Sequence, residues 1–283
     1  MSASVFQAGN FMEHVIRTEN KLRNRHIWYL KNDTAIGKMI GYGYFWEECM
    51  FDFYKYFYVE GTDVIDIGGN IGMNTLLMEE FVSDHNRIYV FEPIYHEVIQ
   101  KTLQENNVSE DRVIVYPIGL SDEQREVSFH IHPWDSAHNF GAVSMCKPEE
   151  IREGRLHHHQ GTLLINIDVF PLTHFQFPRR VSVVKIDVEG LECSVLKGMM
   201  SFIRLHQPTI FIEIWKNKFD EFLNSKEANE IFLQMKYKIA KIKLSKYIGI
   251  DENDEEDYVL YHGDLPTDKF HVQLFEVCIT KDS

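Results

Sequence analysis

The nine residues Val64-Ile65-Asp66-Ile67-Gly68-Gly69-Asn70-Ile71-Gly72 constrain the fold of this chain more than any others. A short β-branched run reads as a buried strand. The glycines break it, and Met73-Asn74-Thr75-Leu76-Leu77-Met78 reads as the helix that follows. A strand, a tight glycine turn and a helix N-terminus open a βαβ unit. Its backbone can be approached closely by a nucleotide-like ligand, because glycine has no Cβ and tolerates left-handed dihedrals. The next strand, Ile88-Tyr89-Val90-Phe91, ends in Glu92-Pro93, and Glu92 lies twenty residues beyond Gly72. An acidic residue at that spacing is placed to accept hydrogen bonds from a ribose diol.

The glycine spacing discriminates between nucleotides. A dinucleotide fingerprint is G-x-G-x-x-G, whereas Gly68, Gly69 and Gly72 form G-G-x-x-G. S-adenosylmethionine has no pyrophosphate to cradle; it carries a sulfonium and an amino-acid tail. Asp66 then either orders the loop or reaches the ammonium. The expected cofactor face comprises Asp66, Gly68, Gly69, Asn70, Gly72 and Glu92, together with Gly119, Leu120 and Ser121 after the third strand and Asp187 after the fourth. A glycine-rich turn that serves only packing is the competing reading.

Strand and helix alternate beyond this unit, which predicts a parallel sheet. His96 to Glu105 reads as a helix and Val113-Ile114-Val115-Tyr116 as the third strand. Val181 to Asp187 reads as the fourth strand. Thr209 to Trp215, after Pro208, reads as the fifth, with a helix from about Lys226 to Met235 beyond it. Tyr237–Leu244 and Asp257–Tyr261 read as a terminal hairpin, with the acidic run 251–257 as its solvated tip; that run lacks EF-hand spacing. Residues 123–180 interrupt the alternation. There Val127–His132 and Leu163–Asp168 read as paired strands around a polar loop, an insertion of the kind that shapes substrate sites. The expected domains are an aromatic, helical extension over 1–60, a core over 61–265 and a tail over 266–283. The start of the helix near Trp46 is placed to roof the cofactor.

A hydrophobic content of 44% can build a full core, and the net charge is −14. No basic stripe is visible, which argues against a nucleic-acid partner. Cys49, Cys146, Cys193 and Cys278 show no zinc spacing and fit a reducing compartment. No apolar run reaches the ~20 residues of a membrane helix, and no signal-peptide pattern opens the chain. The expectation is a soluble, cytoplasmic protein.

Two motifs stand together: Asp66-Ile67-Gly68-Gly69-Asn70-Ile71-Gly72 and Lys185-Ile186-Asp187-Val188-Glu189-Gly190-Leu191-Glu192. With Phe91-Glu92-Pro93, Val195-Leu196-Lys197-Gly198 and Pro208-Thr209-Ile210-Phe211-Ile212-Glu213, the chain resembles the FkbM family of S-adenosylmethionine-dependent methyltransferases over roughly residues 36–262. Gly69 stands where that family usually has Ala. The resemblance implies an α/β class I methyltransferase fold, Rossmann-like. Its sheet has seven mostly parallel strands in the order 3-2-1-4-5-7-6, with the seventh antiparallel. It also implies O-methylation, often of a sugar or polyketide-type hydroxyl, and draws attention to Glu47 before the first strand.

Methylating an alcohol requires alignment of oxygen, methyl carbon and sulfur, and a base or a metal that acidifies the hydroxyl. Asp187, at the end of the fourth strand, is the first candidate, with Glu189 and Glu213 at neighbouring strand ends. These carboxylates can bind a glycan through its diols, act as base or hold Mg²⁺. Alternatively, Asp187 and Glu192 only cap the following helix, and Lys185 neutralises Asp187. His130 and His132 alternate on one strand face, where metal binding competes with plain solvation. His157-His158-His159 is placed in a loop, and Trp46 and Trp215 can stack on a sugar. The expected function is an O-methyltransferase for a sugar or glycan hydroxyl. Its rivals are methylation of another small molecule on oxygen or nitrogen, a non-catalytic cofactor-binding module in an assembly, and an NAD-dependent oxidoreductase.

Overall fold

The structure, a computed structural model, describes residues 11–141, 144–145, 163–243 and 255–275. The triple histidine at 157–159, Cys146, Cys278, residues 251–254 of the acidic run and the tail beyond 275 lie outside the described residues.

The strands are β1 (Val15–Asn20), β2 (Arg25–Leu30), β3 (Asp63–Ile67), β4 (Ile88–Phe91), β5 (Val113–Tyr116), β6 (Gly119–Leu120) and β7 (Arg125–Ile131). They continue with β8 (Ser144–Met145), β9 (Leu163–Phe170), β10 (Val181–Ile186), β11 (Thr209–Trp215), β12 (Lys238–Ile242), β13 (Glu255–Tyr261) and β14 (Val272–Phe275). The helices are α1 (Ile36–Gly41), α2 (Met50–Phe57), α3 (Met73–Glu79), α4 (His96–Glu105), α5 (Glu192–Gly198), α6 (Met200–His206), α7 (Lys216–Leu223) and α8 (Lys226–Asn229).

The central sheet has eight strands in the order β14-β12-β13-β11-β10-β3-β4-β5. From β5 to β11 neighbouring strands run parallel; β13 runs antiparallel to β11 and to β12. Strand β14, which the sequence did not signal, pairs with β12 and makes the sheet one strand wider than the seven expected. Its central strands are buried on both faces, so β3, β4 and β10 read as nearly unbroken apolar runs. One face carries Val64, Val90, Val183, Phe211 and Val259 beneath α2, α3 and α4. The other carries Ile65, Phe91, Val184, Ile212 and Leu260 above α5 to α8. Helices on both faces of a mostly parallel sheet make a three-layer α/β architecture.

The insertion forms a second sheet, β6-β9-β7-β8, in which β7 and β9 pair antiparallel from Arg125↔Val169 to Ile131↔Leu163. Gly119 and Leu120, read from sequence as loop, form the strand that joins this sheet to the core.

The first sixty residues hold a hairpin, β1–β2, as well as helices. The outer edge of β2 is satisfied by α4: Thr102 Oγ1 accepts the Trp28 N–H at 3.1 Å, and Asn106 Oδ1 accepts the His26 N–H at 2.9 Å. Two side chains four residues apart on a helix thus replace a third strand. The expected helix over 226–235 is α8 followed by a π turn over Glu230–Gln234, and α7 precedes it unannounced. Phe219 of α7 stacks on Tyr258 with ring centroids 4.3 Å apart, a tertiary contact that its charged sequence conceals.

Candidate active site

The turn after β3 is shaped by what it must pass. Gly68 sits at φ +80°, and a Cβ there would lie 1.7 Å from the Asp187 carbonyl oxygen. Its N–H bonds Phe91 O at 2.9 Å while Asp187 N–H bonds Ile67 O at 3.0 Å, so the ends of β4, β3 and β10 are drawn together. Asn70 takes a left-handed φ of +48°, and its N–H donates to Glu92 Oε2 at 2.8 Å. Glu92 Oε1 accepts from Ile94 N–H at 2.7 Å and Tyr95 N–H at 3.0 Å. Burial raises the Glu92 pKa to about 7, against the lowering effect of those three backbone donors.

Above this turn opens a cleft of about 630 Å³, within the range of small-molecule sites. Of the residues expected to face the cofactor, Gly68, Asn70, Glu92, Gly119 and Leu120 line it, as does Asp187. Asp66, Gly69, Gly72 and Ser121 do not. Asp66 is fully buried beneath the turn, where Oδ2 accepts the Thr75 hydroxyl at 2.6 Å and Oδ1 lies 4.0 Å from Lys185 Nζ. It orders the loop from below. Gly69 packs on Val90, and Gly72 packs on Ile99 as it starts α3. Ser121 is buried against Gly198, and neighbouring Asp122 is turned to Lys197 and Arg125. Partial burial works against the Asp122 charge, but those two cations hold its pKa well below the usual carboxylate range.

The three proposed acceptor-side carboxylates, Asp187, Glu189 and Glu213, all line the same cleft. Strand register explains part of this. Asp66, Lys185, Phe211 and Val259 lie side by side across β3, β10, β11 and β13. Two residues further along, the same face carries Gly68, Asp187, Glu213 and Asp257, the last two directly paired. Glu189 is brought in differently: it and Gly190 both take positive φ, +53° and +97°, a sharp turn before α5. Glu192 closes that turn, with Oε1 accepting Gly190 N–H at 2.8 Å, so it serves the helix start and not the cleft.

Lys185 is buried under this row. Its ammonium donates to Asp187 Oδ2 at 2.9 Å and to Gly68 O at 3.4 Å. Desolvation opposes its charge, but Asp187, Asp66 and Glu47 outweigh that and raise its pKa. Glu47 lines the cleft opposite, with Oε2 accepting Asn74 Nδ2–H at 2.8 Å.

Several cleft residues were not expected at the site: Thr34, Ala35, Ile36, Lys38, Met39 and Tyr42 around α1, with Tyr95, Lys241 and Lys243. Glu256 and Asp257, expected in a solvated hairpin tip, instead lie in β13, paired to β11, and line the cleft. Asp33 fixes the turn before α1 by accepting the Ala35 N–H at 2.7 Å, while α1 itself, with Ala35 as its N-cap, starts without a side-chain cap. The insertion contributes Phe129, Asn139, Gly141, Ile167 and Val169. Tyr95 ties it down by donating to Phe140 O at 2.7 Å. Trp46 lines the cleft and Trp215 does not. His130 and His132 do not line it either, and the His132 ring stacks on His138 at 3.7 Å. Among the described residues, no group of three or more His, Cys, Asp or Glu side chains is arranged to hold a metal ion. Among the same residues, no helix is long and apolar enough to cross a membrane.

Comparison with known proteins gives the following. The chain is 29% identical over 147 residues to Methyltransferase 1 of Beauveria bassiana (strain ARSEF 2860), covering 48% of this chain and 57% of that protein. It is similar to the crystal structure of an FkbM methyltransferase from Methylobacillus flagellatus KT, with TM-score 0.46 and 17% identity over 74% of this chain and 48% of that one. A putative rRNA-methylase from Clostridium thermocellum gives TM-score 0.44 and 14% identity over 75% of this chain and 93% of that one. The chain thus spans about half the length of the first two proteins. The family model described as the methyltransferase FkbM domain matches residues 66–239, more than half of the sequence and both glycine-bearing motifs, and the chain belongs to that family.

Proposed function

We propose that the protein is an S-adenosylmethionine-dependent methyltransferase whose acceptor is a hydroxyl, of a sugar or glycan. One observation carries the reading: a single cleft joins the Gly68–Asn70–Glu92 turn to the carboxylate row Asp187, Glu213 and Asp257.

The residues present fit the cofactor. Gly68 leaves the backbone bare, Glu92 offers carboxylate oxygens at the ribose spacing, and Leu120, Phe91 and Ile94 give an apolar wall for a purine. When bound, S-adenosylmethionine supplies a methyl group on a sulfonium, open to in-line attack by oxygen. Asp187, Glu189 and Glu213 accept hydrogen bonds from acceptor hydroxyls, align one oxygen and receive its proton. Lys185 fixes the Asp187 carboxylate from beneath. The insertion and α1 contribute to the cleft wall. An acidic acceptor end fits a neutral polyol better than a phosphorylated one.

The test is calorimetric titration with S-adenosylhomocysteine, then transfer of radiolabelled methyl to a panel of glycans, polyols, amines and RNA. Micromolar binding with label on a glycan hydroxyl is the expected result. Label on amines alone replaces the O-methyl reading with N-methylation, and binding without transfer favours the non-catalytic module.

A further inference from the structure

Adjacent residues of a strand face opposite sides of a sheet, yet Lys241 and Ile242 both line the cleft, as do Glu256 and Asp257. The cleft therefore runs across the strand ends and not over one face of the sheet. Residues on or directly after β4, β3, β10, β11, β13 and β12 line it, and these six strands are successive neighbours. At about 4.8 Å per strand spacing, that path is about 24 Å long. Three of those spacings, about 14 Å, separate the end of β10, where Asp187 stands, from β12. A sugar ring with its linkage advances about as far as one spacing. A single ring over Asp187 and Glu213 thus leaves the β13 and β12 ends uncovered.

Those uncovered ends differ chemically from the reacting end. Asp187, Glu213 and Asp257 present carboxylates alone. Lys241 and Glu256 form an ion pair, Nζ to Oε1 at 2.6 Å, with side chains only 17% and 15% exposed. The core fixes this pair: Glu256 Oε2 accepts the Tyr258 hydroxyl at 2.5 Å, and buried Tyr258 stacks on Phe219. Burial opposes the Glu256 charge, but the hydrogen bonds from Lys241 and Tyr258 outweigh it and hold the pKa below the usual carboxylate value. The pair still has capacity for a ligand. An ammonium has three N–H donors, and Lys241 spends one on Glu256. Each Glu256 oxygen accepts one of these bonds and keeps a second lone-pair site. Neighbouring donors and acceptors match a vicinal diol, whose hydroxyls do both.

We propose that the acceptor is an oligosaccharide, and that Lys241 and Glu256 form the subsite for the sugar unit next to the one methylated. The proposal rests on the glycan reading of the same cleft and makes the substrate at least two units long. The methylated ring lies at Asp187 and Glu213, and its neighbour lies over β13 and β12. Both subsite residues fall outside residues 66–239, the segment matched by the family model, so acceptor length is selected by a part of the chain beyond that match.

Methyl transfer from radiolabelled S-adenosylmethionine to gluco-, galacto- and manno-configured mono-, di- and trisaccharides tests this. In the parent protein, kcat/KM in at least one series should rise about tenfold or more from mono- to disaccharide, the scale of a charge-assisted hydrogen bond. Lys241→Met and Glu256→Gln should each cut that gain to less than about threefold. A purely structural defect would scale both acceptors alike and preserve the ratio. S-adenosylhomocysteine titration reports whether each variant has folded. Equal kcat/KM for mono- and disaccharides in the parent overturns the proposal without any variant, and so does a gain that survives in both variants. S-adenosylhomocysteine binding with transfer to none of the saccharides overturns the glycan reading itself, a failure distinct from transfer that ignores chain length.

Discussion

Gly68 and Asp187 approach so closely that the α-carbon of one faces the carbonyl of the other, with no room for a methyl group between them. A Cβ on Gly68 would meet that carbonyl oxygen at 1.7 Å, and its φ of +80° disfavours any L side chain. Gly68→Ala should therefore part β3 from β10. We expect a loss of about 2–4 kcal/mol in urea unfolding, from strain and forced displacement together, and no measurable S-adenosylhomocysteine binding.

Gly69 is a milder case. Its φ is ordinary, but an added Cβ would lie 2.5 Å from Val90 Cγ1. Gly69→Ala, which restores the residue usual in the family resemblance, should cost about 1–3 kcal/mol by overpacking. Combined with Val90→Ala it should cost less than the two changes summed, by about 1 kcal/mol or more. Additivity in a double-mutant cycle would contradict the contact.

Glu92 gives the stability an unusual slope. Its pKa rises from 4.5 to about 7 on folding, so the folded state binds its proton more tightly than the unfolded state. The contribution is most favourable below pH 4.5 and is lost as pH rises towards 7. Glu192, also raised to about 7, acts with the same sign. Urea midpoints taken at pH 5 and pH 7 should fall between those values in the parent and fall less in Glu92→Gln.

Lys185 lies between Asp187 and Asp66 and offsets the repulsion of their carboxylates. Lys185→Met leaves both carboxylates without that ammonium, and we expect a loss of about 3–5 kcal/mol. Adding Asp66→Asn should recover part of it. A thermal scan of the single and double variants, with the double melting no higher than the single, would refute this coupling.

On the mechanism proposed above, Asp187→Ala should lower methyl transfer by ~10²–10⁴-fold, the range for a lost general base. S-adenosylhomocysteine affinity should change by less than about threefold, because the Gly68–Asn70 turn and Glu92 are left unaltered. Turnover equal to the parent removes Asp187 from the mechanism.

The sequence displayed the central layer well and the edges poorly. Strands β3, β4, β10 and β11 are buried between helices, so their apolar runs announce them, and His96 to Glu105 carries a clear 3.6-residue pattern. Strand β14 and the β1–β2 hairpin are half-exposed and mixed in composition, with burial settled by partners distant in sequence. Residues of the site were legible where a turn fixes them, as at Gly68, Asn70 and Glu92. Asp66 stayed open between two readings because a carboxylate beside a glycine loop looks the same whether it faces the ligand or supports the loop. Only the buried Thr75 and Lys185 partners decide between these. Glu256 was read into a solvated tip and Lys241 was not assigned to the site, since each reaches the cleft through antiparallel register and not through any local pattern.

The strand order has a further consequence for how the molecule is made. Strand β13 follows β12 in the chain yet lies between β12 and β11 in the sheet, so Asp257 is inserted beside Glu213 only after everything before residue 255 has been synthesised. The glycine turn needs β10, completed at residue 186, whereas the row of Glu213 and Asp257 waits for β13. The carboxylate row is therefore the part of the cleft that the chain finishes last.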